Sequence, residues 1–157
     1  MSKLYWEDLA IGQVLEYGAH TVTREEVIEF AREFDAQPFH VDDEAAAQSP
    51  YGGLIASGWQ TAGFCMRMLV DNVLSKARSL GAPGVEWLRW RQPVRPGDEL
   101  RVRHHVLEKR VSKSRPYVGF VKNRFEVLNQ HDAVVMEMVT QSMFQRRLDP
   151  DHERGAA

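Results

Sequence analysis

Ser57-Gly58-Trp59-Gln60-Thr61-Ala62-Gly63-Phe64-Cys65-Met66-Arg67-Met68-Leu69-Val70 is the stretch on which the architecture turns. Its spacing predicts one long helix starting near Ser57, with Trp59, Ala62, Met66, Leu69, Val70 and Val73 on a shared face. Phe64, Cys65 and Met68 add apolar surface elsewhere, so the first turns are expected to be buried nearly all round. Asp71, Asn72, Ser75, Lys76 and Arg78 make the later turns polar, and Gly81 and Pro83 supply a stop. A helix apolar on so many sides needs more than a flat sheet to cover it.

Downstream the periodicity changes from helix to strand. Val85 to Arg91 is one candidate strand, ended by Pro93 and the Arg95-Pro96-Gly97-Asp98 turn. Leu100, Val102, His104 and Val106 alternate with Arg101, Arg103 and His105, the pattern of a half-buried strand. Tyr117 to Leu128 and Ala133 to Phe144 are two more, separated by Asn129-Gln130-His131-Asp132, while Gln13 to Val22 offers a short fifth. The reading is therefore α+β, an antiparallel sheet curled around one long central helix. Its open edge makes pairing with a second copy an expectation.

Upstream, Thr23-Arg24-Glu25-Glu26 is a capping box with Thr23 as N-cap. Val27, Phe30, Ala31 and Phe34 fall on one face of the helix behind it, and Pro38 is expected to stop that helix. Asp42-Asp43-Glu44 places acids at the start of a short Ala-rich helical turn.

The 157 residues, 43% hydrophobic, suit one compact domain, here residues 1–148 with an aperiodic tail over 149–157. A net charge of −2 gives no electrostatic reason to propose nucleic acid or an anionic membrane as partner. The single cysteine, Cys65, permits no intramolecular disulfide. The first residues lack the apolar run of a signal peptide, and no stretch approaches bilayer-spanning length, so a cytoplasmic protein is expected. His20, His104 and His105 show no metal-ligand spacing.

Phe34-Asp35-Ala36-Gln37-Pro38-Phe39-His40-Val41-Asp42, followed by Tyr51-Gly52-Gly53-Leu54-Ile55-Ala56-Ser57-Gly58-Trp59, resembles the MaoC-like acyl dehydratases. These are relatives of the (R)-specific enoyl-CoA hydratases within the hot-dog superfamily. The stretch Leu88 to Asp98 resembles the same family's strand–turn region, and the likeness runs from about Thr23 to Phe144. It implies a hot-dog dimer or higher homo-oligomer, an acyl thioester substrate on CoA or acyl carrier protein, and no metal or bound redox cofactor. It also implies that Asp35 and His40 act on a catalytic water. The chain departs from the family's usual pattern at Gln37, commonly Asn, and at Ser57-Gly58, commonly His-Gly. Both lie beside the site and bear on the acyl substrate.

Adding water across a carbon–carbon double bond needs a base, an acid and a holder for charge on the thioester oxygen. Histidine serves the first two roles near neutral pH, and a carboxylate can orient the same water. Asp35 and His40 stand five positions apart, too far out of phase for one helix face, but a turn at Pro38 can bring them to one water. Without the resemblance, Asp35 reads equally as a helix end and His40 as a loop residue. The helix start at Ser57-Gly58 offers unpaired N–H groups to a developing oxyanion, and Gly58 lets the oxygen approach the backbone. Ser57 reads equally as an ordinary N-cap. Gln37 and Trp59 are candidate substrate contacts, and Arg89, Arg91, Lys113 and Arg115 are candidate partners of CoA phosphates.

Two other readings share the fold. A hot-dog thioesterase commonly carries an acid near the start of the central helix, and here no Asp or Glu occurs between Glu44 and Asp71. A non-catalytic acyl-thioester-binding subunit would keep the fold without turnover.

Overall fold

The computed structural model describes residues 3–147, so the tail expected over 149–157 lies outside the described residues. Five antiparallel strands form one sheet in the order β1-β3-β4-β5-β2: β1 Val14–Thr21, β2 Gly84–Trp90, β3 Glu99–Val111, β4 Val118–Leu128 and β5 Val134–Gln145. Four helices precede β2: α1 Arg24–Phe34, α2 Pro38–Val41, α3 Asp43–Gln48 and α4 Gly58–Asn72. All five expected strands are present, and β3 runs five residues further than its alternation indicated, across a bulge between Val106 and Glu108.

The α4 helix lies in the concave face of the sheet, but on a different stripe from the one its apolarity suggested. Thr61, Cys65, Met68, Leu69 and Val73 are buried, following the buried N-cap Ser57 at steps of three and four. Trp59, Met66 and Val70 are instead exposed, at 64%, 47% and 37%. Nor are the first turns buried all round, since Gly63 also faces out. With apolar residues on several faces, hydrophobicity could not choose among them. The choice fell on the face whose small Ser57, Thr61 and Cys65 allow a close approach to the sheet.

Glycine permits that approach. β1 bulges between Tyr17 and His20, and Gly18 there has φ +84°, in the left-handed region. A Cβ on Gly18 would stand 2.5–2.9 Å from the Met68 side chain of α4. Inside, Phe125, Val127, Val102, Met136 and Leu100 meet Cys65, Met68 and Leu69 in the main core. A smaller cluster of Leu9, Val106, Val121 and Phe144 sits under the N-terminal 3-10 turn, Trp6–Asp8.

The buried polar groups of the sheet are satisfied. His104 donates from Nε2 to Asn123 Oδ1 at 2.8 Å, which leaves Nδ1 to accept from the Tyr17 hydroxyl at 3.2 Å. Asn123 in turn donates to Val121 O and Ser142 Oγ. Burial pushes the His104 pKa down, so the ring sits in the core as a neutral group. Burial likewise pushes the Cys65 thiol up to about 12, as suits a core residue and not a nucleophile.

The capping box forms as expected: Thr23 Oγ1 accepts from Glu26 N, and Thr23 N donates to the Glu26 carboxylate. Two local expectations fail. Phe34 is 68% exposed, because α1 ends there and its ring meets only Phe30, at a tilt of 47°. Pro38 does not stop α1, which already ends at Asp35 (φ −156°, ψ 66°); it opens α2, where a missing N–H costs nothing.

Replacing Gly18 with Ala should lower stability by roughly 2 kcal/mol or more, through positive φ and the Met68 clash together. Gly12 has the same φ of +84° but open space around it, so Gly12→Ala carries only the backbone part. Chemical denaturation of both variants reads the difference. Equal losses would mean that the Met68 contact is not what demands the glycine.

Candidate active site

Asp35 is the C-cap of α1, its N–H bonded to Ala31 O, and its side chain points back towards the start of α4. His40 lies on the single turn of α2, buried, with Nδ1 2.7 Å from Ile55 O. A carbonyl can only accept, so Nδ1 carries a proton and Nε2 is the nitrogen left to exchange one. That Nε2 lies 3.3 Å from Asp35 Oδ2. The spacing that kept the two residues off one helix face is thus resolved by two helices meeting at an angle.

The segment 54–56 fixes this geometry. Ile55 N bonds to Phe39 O, and Ala56 N bonds to Val94 O, so the segment is pinned between α2 and the loop after β2. It then delivers Ser57 to the head of α4. Ser57 Oγ donates to Asp35 Oδ2 at 2.7 Å and accepts from Trp59 N at 3.3 Å. Serine is therefore both N-cap and a direct partner of Asp35. Gln37 Nε2 donates to the other carboxylate oxygen, Oδ1, at 2.8 Å. Burial would raise the Asp35 pKa, but the bonds from Ser57 and Gln37, with the charge of His40, outweigh it and hold the group below its ordinary value.

Asp35, Gln37, His40, Gly58 and Trp59 all line one cavity of about 460 Å³, and Ser57 lies directly behind it. The Gly58 N–H faces no hydrogen-bond acceptor among the described residues, as an anion-binding helix start requires. The space where a Cβ of Gly58 would project is filled by the indole of Trp90, whose Cε2 would lie 2.3 Å from it. Of the four basic residues expected near phosphates, only Arg91 lines the cavity, and it is bonded to Glu137 at 2.8 Å. Arg89 stacks on Trp87, and Arg115 reaches Met143 from the β3–β4 loop.

Sequence reasoning missed much of the remaining lining, including Phe39, Tyr51, Thr61, Trp90 and Val94. Only Trp90 carried a usable signal: the period of two in β2 puts it on the same side as Leu88, which packs into the core.

A five-stranded antiparallel sheet in this order, wrapped about one long helix, is the hot-dog fold. The family model described as MaoC like domain matches residues 8–127, and the chain belongs to this MaoC-like dehydratase family. A crystal structure of the MaoC-like dehydratase from Rhodospirillum rubrum is 44% identical, with a TM-score of 0.86 over 93% of this chain and 99% of that one. Among curated relatives, the 3-hydroxybutyryl-CoA dehydratase of Methylorubrum extorquens is 36% identical over 110 residues, 67% of this chain and 65% of that protein. The uncharacterized protein YdeM of Bacillus subtilis is 28% identical over 131 residues, 83% of this chain and 92% of that protein.

Ser57→Ala and Gln37→Leu each leave burial of Asp35 less opposed, so its titration midpoint should rise in both and rise further in the double variant. Carboxyl carbon chemical shifts followed against pH measure this. A depressed carboxylate pKa contributes stability above the ordinary carboxylate range and loses it as pH falls from that range through the lowered folded-state value. Acid unfolding should therefore become less steep in the same variants.

Proposed function

We propose that the chain is a hydratase/dehydratase interconverting a 2-enoyl thioester and its 3-hydroxyacyl form, with CoA as the carrier and acyl carrier protein as the alternative. The observation that carries the proposal is the arrangement of Asp35 and His40, 3.3 Å apart, against a helix start with a free Gly58 N–H in one cavity. Membership of a dehydratase family supports the reaction type.

In the hydration direction His40 Nε2 accepts a proton from water as its oxygen bonds to C3. The double-bond electrons move towards the thioester oxygen, where the Gly58 N–H and the positive end of α4 hold the charge. The electrons then return to C2, which takes a proton from the pair, so one proton leaves water and one reaches carbon. Asp35, kept anionic by Ser57 and Gln37, orients the water and balances the charged imidazole. Gln37 and Trp59 flank the substrate. No step in this scheme requires a metal or a redox cofactor.

We further propose that the working form is a homodimer. β2 is an edge strand with Val85 and Trp87 exposed at 54% and 37%, and Met66 and Val70 on α4 are uncovered too. Such an edge invites pairing with a second copy. No helix among the described residues is long and apolar enough to cross a membrane.

Crotonyl-CoA should lose its enoyl absorbance with the native protein, without release of free thiol. Asp35→Asn and His40→Ala should each cut the rate by about 10²–10⁴-fold while the far-ultraviolet spectrum is kept. Thiol release in place of hydration would favour the thioesterase reading, and wild-type rates in both variants would sink the dyad. Separately, Trp87→Glu should shift sedimentation from dimer to monomer; a native protein that sediments as a monomer would exclude the proposed pairing.

A further inference from the structure

We propose that Trp90 is a specificity-determining residue whose indole forms the end wall of the acyl site, restricting the protein to short, unbranched enoyl groups. The inference rests on the hydration reading above and adds which acyl groups that site admits.

Trp90 is the last residue of β2, pairs with Met136, and shares the inward face with Leu88. A tryptophan there projects over the sheet edge onto the head of α4. Three contacts hold it. Its Nε1 donates to Gly58 O at 2.8 Å. Its ring lies so close to Gly58 that no Cβ fits between them. Trp59 backs it edge-on, with ring centres 5.1 Å apart and planes at 83°. The indole is thus anchored at its Nε1 edge and packed against two neighbours, while 45% of the residue stays open to the cavity and solvent.

The position of that wall matters more than its anchoring. The Gly58 N–H that would meet the thioester oxygen and the Gly58 carbonyl that holds Trp90 belong to one residue, no more than about 4.2 Å apart by standard bond lengths. The indole also fills the space of a Gly58 Cβ, which in a helix leans towards the N-terminus, so carbons next to a carbonyl held by that N–H would lie beside the ring. Phe39, Ala56, Trp59 and Val94 give part of the lining an apolar character suited to a hydrocarbon, beside the polar Gln37, Thr61 and Gln92. The pyrophosphate of a carrier would need cations, and the one cation in the lining, Arg91, is already paired with Glu137.

Rates for enoyl-CoAs of four, six, eight and ten carbons should fall with length in the native protein. Trp90→Leu should raise the eight-to-four-carbon ratio of kcat/KM by about tenfold or more, in line with what single methylenes are worth in an apolar pocket. Trp90→Phe, which keeps a ring and is the safer variant for folding, should shift the ratio the same way by less. Calorimetric binding of saturated acyl-CoAs of the same lengths repeats the comparison without turnover. If the native protein hydrates nothing, the hydration reading fails, yet the binding series still tests the wall. An unchanged length profile in both variants overturns the proposal. So does an equal loss at all lengths that disappears with N-acetylcysteamine thioesters, which would place the ring against the carrier.

Discussion

The close approach of α4 to the concave sheet is the constraint from which the rest of this molecule follows. Ser57, Thr61, Cys65, Met68, Leu69 and Val73 form the buried stripe, and the bulge at Gly18 makes room for Met68. Small residues, Ser57, Thr61 and Cys65, continue that buried stripe to the head of the helix. The same closeness presents Ser57 to Asp35, and Gly58 to the edge of β2. Core packing and site geometry are thus two results of one placement. Interiors this dense respond to changes of a single methylene, so the site has little freedom of its own.

What could be read in the sequence was local. The Thr23–Glu26 capping box depends on residues three apart, and the strands depend on alternation within each segment. The buried face of α4 was not readable, because three of its faces are apolar and the deciding contacts come from β1 and β3. Thr61 and Gln60 went inside while Trp59 stayed out, the reverse of their hydrophobicity. Gln60 donates to Glu26 O, a backbone partner that no pattern announces, while its Oε1 is buried without a partner.

The candidate site divides in the same way. Asp35, His40 and Ser57 were legible as residue types in a family-like order. Their coupling was not: it needs the Ile55 carbonyl to fix the histidine tautomer and the Ser57 hydroxyl to reach back 22 positions to Asp35. Gln37, a departure from the usual asparagine, still reaches the Asp35 carboxylate with its amide. The substitution therefore preserves a donor to Asp35. Trp90 shows the opposite limit, since its strand position was predictable but its partner, Gly58, stands 32 residues away.

Gly58 carries two demands at once, and this bears on how selectivity would act. Gly58 lines the cavity with an N–H that meets no acceptor among the described residues, while its carbonyl and Cα hold the indole of Trp90. A side chain at this position would therefore displace the wall before it obstructed an incoming oxygen, and loss of activity in such a variant would not separate the two roles. An acyl chain too long for the wall would also press on Gly58, the residue proposed to hold the oxyanion. The penalty would then fall on the transition state as well as on binding, lowering kcat together with kcat/KM. A wall placed further from the helix start would discriminate through KM alone.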